Sequence, residues 1–356
     1  MNRRLLITIA IAGALACAPP PPVAAQVRLN GAGATFPNII YQNWILTYNQ
    51  KFDNVQINYQ SIGSGGGIRQ FSEKTVDFGG SDAPMTDSAI AAIDGNVLHI
   101  PTVLGAVVAT YNLPGLAQAV RFTPNVLADI FLGKITSWSD ARLTSINPGV
   151  TLPNQDIIVV HRSDGSGTTY VWVDYLTKVS PEWARRVGRG TSVNWPVGLG
   201  GRGNEGVTAT TRQTPGAIGY VELGYALINK MPVGVVRNKS GSWITPSLES
   251  VTAAAAGAMA DMGPNTDFRV SITDPSGTEA YPIASFTWLL IRKQYSDAAK
   301  SRELVKFVWW ALTEGQAKAA GLGYAPLPAE LRPWMQARLK MITAGGRPVW
   351  TGPSTR

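Results

Sequence analysis

The sequence has one cysteine, Cys17, and only two histidines among its 356 residues. His, Cys, Asp and Glu nowhere cluster with the spacing of a metal site. No GxSxG nucleophile motif and no GxxxxGK(S/T) phosphate loop occurs. With only two histidines, the sequence offers few candidates for the catalytic base of a Ser-His-Asp hydrolase. We therefore expect no metal, no cofactor and no covalent chemistry.

Long apolar runs are also missing after residue 25, so we expect no membrane-spanning helix in the rest of the chain. Residues 1–25 combine two arginines, a short apolar run and small residues ahead of Gln26, a pattern that predicts a secretory signal peptide. Cys17 leaves a lipid anchor open as an alternative, because an imperfect lipoprotein acceptor sequence precedes it. Cleavage near Gln26 would leave an exported chain without cysteine, stabilised by core packing rather than by disulfides.

Positive charge is in moderate excess, with a formal net charge of +8. The lysines and arginines are scattered, without a dense basic run or a recognisable nucleic-acid motif, so we expect no nucleic-acid partner. We interpret the excess as a solvated basic surface whose mild field also draws anions in.

Glycine is abundant, with 37 residues. Four short stretches rich in Gly, Ser and Thr each follow a predicted strand or lead into a predicted helix, at 31–36, 63–67, 79–82 and 162–168. Each stretch alone is compatible with an ordinary tight turn. Small residues let the backbone approach a ligand, and the first N–H groups of a helix lack partners within it. Together the four stretches predict one anion site.

Strand, loop and helix patterns alternate along the chain, which predicts an α/β protein with doubly wound sheets and a ligand site at the carboxyl ends of the strands. About 330 residues after the signal exceed what one hydrophobic core supports, so we expect two lobes. Extended segments at 102–111 and 281–291 predict two crossovers between them. The stretch 198–203 matches GxGxxG, but it lacks a clear strand-turn-helix pattern, and we interpret it as a mobile surface loop.

Five ordered motifs together resemble one known family. They are GAGATFP at 31–37, IGSGGG at 62–67, DFGGSDAPMTD at 77–87, RSDGSGTT at 162–169 and PGAIGYVE at 215–222. The sequence is similar in these motifs to the periplasmic phosphate-binding proteins of phosphate-specific ABC importers. The similarity runs through essentially the whole chain after the signal.

The resemblance implies the two-lobed type II periplasmic binding protein fold, with a hinge between two doubly wound sheets and phosphate held dehydrated in the cleft. It divides the chain into a signal peptide at 1–25, a discontinuous lobe I at 26–103 and 283–356, and lobe II at 104–282. The implied location is the periplasm. The implied function is high-affinity binding of inorganic phosphate by a monomer and its delivery to the permease subunits of an ABC importer, without catalysis.

Carried over motif by motif, the resemblance also implies the residues that contact phosphate. Arg162 offers a planar fork of donors suited to two phosphate oxygens, and Asp164 would fix the orientation of that fork. The implied phosphate contacts are Thr35, Phe36, Ser64, Asp82, Arg162, Ser166, Gly167 and Thr168.

Asp82 suggests how the site selects its ligand. A carboxylate repels a dianion unless the ligand donates a proton to it, and the protonated forms of phosphate can do so whereas sulfate cannot. We therefore expect Asp82 to reject sulfate, because sulfate would leave a buried acceptor unpaired and a like charge uncompensated.

The residues alone leave other interpretations open. Asp82 could cap the helix that follows it, and Arg162 could be a surface arginine paired with Asp164. The alternative functions are a receptor for another oxyanion such as sulfate, molybdate or a phosphonate, a phosphate-ester hydrolase, and an adhesive surface protein.

Overall fold

The computed structural model describes residues 26–353. The signal-peptide prediction and the alternative lipid anchor on Cys17 concern residues outside that range. Within the range, none of the helices combines the length and hydrophobicity needed to cross a membrane.

The first part of the described chain alternates strands with helices. Its elements are β1 (Val27–Gly33), α1 (Asn38–Lys51), β2 (Val55–Ser61), α2 (Ser64–Ser72), β3 (Phe78–Ser81), α3 (Asp87–Ala91) and the long strand β4 (Leu98–Tyr111). Apolar residues of α1, among them Ile40, Trp44 and Tyr48, are buried in the core, as their helical spacing requires.

The middle part continues the alternation with shorter elements. They are β5 (Arg121–Phe122), α4 (Pro124–Phe131), α5 (Ala141–Thr144), β6 (Ile158–Arg162), α6 (Gly167–Val179), α7 (Pro181–Arg186), β7 (Leu199–Gly201), α8 (Gly203–Gln213), β8 (Ala217–Glu222), α9 (Leu223–Ile228), β9 (Val235–Arg237), β10 (Trp243–Ile244) and α10 (Leu248–Ala256).

The last part returns to the first half of the molecule. Its elements are β11 (Ala284–Ile291), β12 (Gln294–Tyr295), α11 (Ala298–Leu312), α12 (Leu331–Lys340), β13 (Thr343–Ala344) and β14 (Arg347–Pro348). Short 3₁₀ turns lie at Met259–Asp261, Glu314–Lys318 and Ala320–Leu322.

The main sheet has the strand order β2-β1-β3-β11-β4-β8-β6-β7. Strand β4 pairs antiparallel with β11 from Leu98 to Ala106 and with β8 from Val107 to Tyr111. One strand thus belongs to both halves of the two-lobed fold. In the first half β1 is parallel to β2 and β3, and in the second half β6 is parallel to β7 and β8. The carboxyl ends of parallel strands share one edge in each half.

Close packing explains why residue 67 is a glycine. A side chain at Gly67 would place its Cβ 2.5 Å from the Cα of Gly33 and 2.6 Å from the carbonyl oxygen of Gly80. Helix α2 therefore lies directly on the ends of β1 and β3, and only glycine fits at that point of the helix.

The connection between α10 and β11 touches both halves. The ring Nδ1 of His99, in β4, lies 2.9 Å from Oδ2 of Asp267, and Lys178 of α6 donates a hydrogen bond of 2.7 Å to Oγ1 of Thr273. The boundary of lobe II at residue 282 stays a prediction.

Candidate functional site

The predicted contact residues lie at the carboxyl ends of strands in both halves. Thr35 and Phe36 follow β1, Ser64 begins α2, which follows β2, and Asp82 follows β3. In the other half Arg162 ends β6, Ser166 caps α6, and Gly167 and Thr168 form its first turn. All eight residues are buried.

Side-chain contacts between the halves bring these strand ends together. Nη1 of Arg162 donates to Oγ1 of Thr35 at 3.1 Å. A Cβ on Gly167 would lie 2.3 Å from Oγ of Ser64 and 2.5 Å from Oδ2 of Asp82. The two halves are therefore closed on each other at this point.

Backbone groups also take part in the junction. The N–H of Gly65 donates to the carbonyl oxygen of Gly165 at 2.9 Å, and neither residue has a side chain to hold the two loops apart. Beside this contact, the hydroxyl of Tyr225 donates to the carbonyl oxygen of Thr35 at 2.7 Å. The first contact joins the start of α2 to the loop before α6, and the second joins α9 to the loop after β1. The site is therefore formed by both halves of the molecule.

Arg162 is held by Asp164, as the sequence predicted. Its Nε donates to Oδ1 of Asp164 at 2.8 Å, its Nη2 donates to Oδ2 at 2.5 Å, and the N–H of Gly203 also donates to Oδ1. Burial tends to raise the pKa of Asp164, but the hydrogen bonds and charge of Arg162 leave that pKa below its usual value. The Arg162 side chain is 1% exposed, so its interpretation as a surface arginine is wrong.

The pairing with Asp164 also limits which edge of Arg162 can meet a ligand. Asp164 occupies the edge formed by Nε and Nη2, and Nη1 points instead toward Oγ1 of Thr35 and Oγ1 of Thr168. Nη2 carries a second N–H that the bond to Asp164 does not use. A guanidinium has donors on both edges, so it can bind Asp164 and an anion at the same time.

Asp82 is a buried carboxyl at the junction of the halves. Its Oδ1 accepts a hydrogen bond of 2.7 Å from Oγ1 of Thr287, and its N–H donates to Oγ of Ser64 at 3.1 Å. Burial raises the pKa of Asp82 to about 7, against the opposing effects of Thr287, Arg162 and Ser64. Asp82 therefore exchanges its proton near neutral pH, and it does not cap α3, because Thr86 does so through its bond with the N–H of Ala89.

Two helices begin at this junction. Ser64 begins α2, and Gly167 and Thr168 begin α6, so their N–H groups have no carbonyl partner within their own helices. The partial positive charge of a helix N-terminus adds to that of Arg162. Oγ of Ser166 accepts from the N–H of Thr169 at 2.9 Å, which leaves its hydroxyl proton for another acceptor.

Asn204 was missed by the sequence analysis, and the structure corrects the interpretation of its surroundings. The stretch 198–203 is not a mobile surface loop, because β7 pairs with β6 and leads directly into α8. Asn204, in the first turn of α8, is fully buried, and its Nδ2 lies 2.7 Å from Oγ1 of Thr35. The sequence signal for Asn204 is a strand-turn-helix pattern, which is hard to recognise because its strand, β7, has only three residues.

Thr287 was also missed, for a different reason. It lies in β11, 205 residues after Asp82, and contacts that carboxyl only because β11 pairs with β3. No local motif marks it. Within residues 26–353, no group of three or more His, Cys, Asp and Glu side chains is arranged to hold a metal ion.

Comparison with known proteins identifies relatives over most of the chain. A family profile described as the PBP superfamily domain matches residues 19–314. The chain is 47% identical over 315 residues to the phosphate-binding protein PstS of Xylella fastidiosa (strain 9a5c), which covers 87% of this chain and 85% of that protein. It is 42% identical over 325 residues to PstS of Pasteurella multocida (strain Pm70), which covers 90% of this chain and 93% of that protein.

A solved structure supports the same fold. The phosphate-binding protein from Stenotrophomonas maltophilia matches with a TM-score of 0.68 at 20% identity, over 88% of this chain and 93% of that chain. The predicted two-lobed α/β fold is confirmed. The relatives are named as binding proteins, in agreement with the prediction of a protein without catalysis. The match to the PBP superfamily profile and the identity to PstS proteins over most of its length show that this chain belongs to the PstS family of phosphate-binding proteins.

Proposed function

We propose that this protein binds inorganic phosphate between its two lobes and delivers it to the permease subunits of an ABC importer. Asp164 orients Arg162 for this binding. The residues proposed to contact phosphate are Thr35, Phe36, Ser64, Asp82, Arg162, Ser166, Gly167 and Thr168.

The observation that carries the proposal is the chemistry gathered at the closed junction. One buried guanidinium, several hydroxyls and two helix N-termini supply donors, which is what a dehydrated oxyanion needs in place of water. The carboxyl of Asp82 also lies among them, and burial raises its pKa to about 7. An anion that carries a proton can share it with this carboxyl, and phosphate carries one at neutral pH.

The lobes and their motion are part of the proposal. Lobe I comprises 26–103 and 283–356, and lobe II comprises 104–282. Contacts such as that of Arg162 with Thr35 join the two, so a ligand bound by both lobes stabilises the closed state relative to an open one. The protein acts as a monomer after export to the periplasm, with a lipid anchor through Cys17 as the alternative.

Equilibrium dialysis with labelled phosphate tests the proposal. Arg162→Met removes the buried donors, and we expect phosphate affinity to fall by at least about 100-fold. The matched control is Arg142→Met, because Arg142 is 47% exposed and pairs with Asp140 and Asp129 instead. We expect this control to bind as the wild type does.

The folded state of both variants is checked by thermal unfolding, since Arg162→Met also leaves the partly buried Asp164 without its partner. A wild-type protein that takes up no phosphate, or an Arg162→Met variant that binds as tightly as the wild type, would contradict the proposal.

A further inference from the structure

Asn204 joins the two lobes through the hydroxyls of two threonines. Its Nδ2 lies 2.7 Å from Oγ1 of Thr35 and 3.1 Å from Oγ1 of Thr168. Its Oδ1 accepts a hydrogen bond of 3.0 Å from the N–H of Glu222. Because a backbone N–H can only donate, this bond identifies the atom facing Glu222 as the oxygen. The amide nitrogen therefore faces the threonines as a donor.

Arg162 supplies further donors to the same two hydroxyl oxygens. Its Nη1 lies 3.1 Å from Oγ1 of Thr35 and 3.4 Å from Oγ1 of Thr168. The N–H of Asn204 also donates to Oγ1 of Thr35, at 3.3 Å. Neither a guanidinium nor an amide nitrogen can accept a hydrogen bond.

The number of lone pairs on a hydroxyl oxygen limits where its proton can point. A threonine hydroxyl has two acceptor lone pairs and one proton to donate. Thr35 receives three donors from Arg162 and Asn204, and Thr168 receives two, so neither oxygen has a lone pair left for a further donor. Each hydroxyl proton must then point away from these two donors.

We propose that Asn204 is a positioning residue, which holds the hydroxyls of Thr35 and Thr168 as obligatory donors to the bound anion. This inference rests on the proposed binding of phosphate between the lobes. It also affects how the ligand binds: a protonated phosphate oxygen finds no acceptor at either threonine, so neither threonine competes with Asp82 for that proton.

Two substitutions of Asn204 separate this role from a packing role. Asn204→Leu removes both N–H donors of the amide with a side chain of similar shape. Thr168 then keeps only Arg162 as a donor and its hydroxyl can rotate, whereas Thr35 keeps Arg162 and the N–H of residue 204. We expect phosphate affinity to fall roughly 10- to 100-fold. Asn204→Asp keeps the shape and the acceptor for the N–H of Glu222, but turns an acceptor toward both threonines. Their protons then point at residue 204, and the added charge repels the anion, so we expect a larger loss than with leucine.

The matched control is Asn238→Leu. Asn238 is also buried, and its Nδ2 donates to three backbone carbonyl oxygens at Gly277, Thr278 and Ala280. We expect this variant to lose stability and to keep the wild-type affinity for phosphate.

A double-mutant cycle with Thr168→Val gives the decisive readout by calorimetry. If Asn204 acts through the hydroxyls, Asn204→Leu costs less affinity in the Thr168→Val background than in the wild type, because one of its two targets is gone. Equal losses in both backgrounds, or wild-type affinity in Asn204→Asp, would overturn the inference. Failure of the wild-type protein to bind phosphate would overturn the proposed function as well, and is recognised before any variant is made.

Discussion

The protonation of Asp82 makes the stability of the protein depend on pH. Its carboxyl is buried, and burial raises its pKa from 3.8 to about 7. The folded protein therefore holds a proton between these two values that the unfolded chain releases. Stability of the ligand-free protein then falls as pH rises from about 4 to about 7, and this contribution stays constant above about 7.

Asp82→Asn removes this dependence because the amide does not titrate. We expect the variant to be more stable than the wild type at about pH 8, by up to about 4 kcal/mol, and the difference to vanish toward about pH 4. Urea unfolding of both proteins without phosphate, at several pH values, measures this difference in stability. A stability difference that does not change with pH would contradict the raised pKa of Asp82.

The same substitution tests anion choice. The amide that replaces the carboxylate can donate to sulfate and adds no negative charge to the site. We expect Asp82→Asn to reduce the preference for phosphate over sulfate by at least about tenfold. The control is Asp140→Asn, since Asp140 lies in the second half as the N-cap of α5. Competition between labelled phosphate and unlabelled sulfate measures the preference, and an unchanged ratio would contradict the role of Asp82.

At the scale of single residues, the sequence predicted the side chains that belong to glycine-rich motifs. Thr35, Ser64, Asp82 and Arg162 were predicted because each stands in a strand-end motif that resembles the family, and the structure brings them together. Thr287 could not, because its contact with Asp82 depends on strand pairing across 205 residues. Such a contact leaves no trace in local spacing.

At the scale of elements, the N-terminus of α6 makes a close approach between the lobes. A Cβ at Gly167 would lie 2.3 Å from Oγ of Ser64 and 2.5 Å from Oδ2 of Asp82. Real Cβ atoms do not come this near to other atoms, so a side chain at this position holds the lobes apart.

Gly167→Ala should therefore block closure and weaken phosphate binding by at least about 100-fold, while the fold is kept. Gly321→Ala is the control, because a Cβ at Gly321 meets no atom within 4 Å. Calorimetry measures binding and circular dichroism the fold. Wild-type affinity in Gly167→Ala would mean that the lobes do not close on this helix.

Element prediction was least accurate where strands are short. Strand β7 has three residues and is recognised by its pairing with β6. An alternation of apolar and polar residues cannot be seen over so short a stretch. The extended segments predicted at 102–111 and 281–291 correspond to β4 and β11, which are long enough to show a pattern.

At the scale of the whole molecule, β4 connects the lobes. Strand β4 changes partner from β11 to β8 between Ala106 and Val107, so the sheet continues from one half into the other. The sequence predicted a crossover at 102–111, where β4 lies, but it could not predict that this one strand pairs in both halves, because pairing partners are decided by tertiary structure.

A hinge at β4 and at the chain segment before β11 predicts a change of shape on binding. We expect small-angle scattering to show a smaller radius of gyration with phosphate than without it, since phosphate contacts on both lobes favour the closed state. Gly167→Ala serves as the control and should not become more compact. A radius that is the same with and without phosphate would contradict a hinge motion.

Calorimetric titration of a protein comprising residues 26–356, freed of bound anion, with phosphate at neutral pH tests the central claim most directly. The titration is run with and without excess sulfate. The account predicts tight binding of one phosphate per chain that sulfate leaves unchanged, because sulfate has no proton to share with Asp82. Absence of heat on adding phosphate, or displacement of phosphate by sulfate, would contradict it.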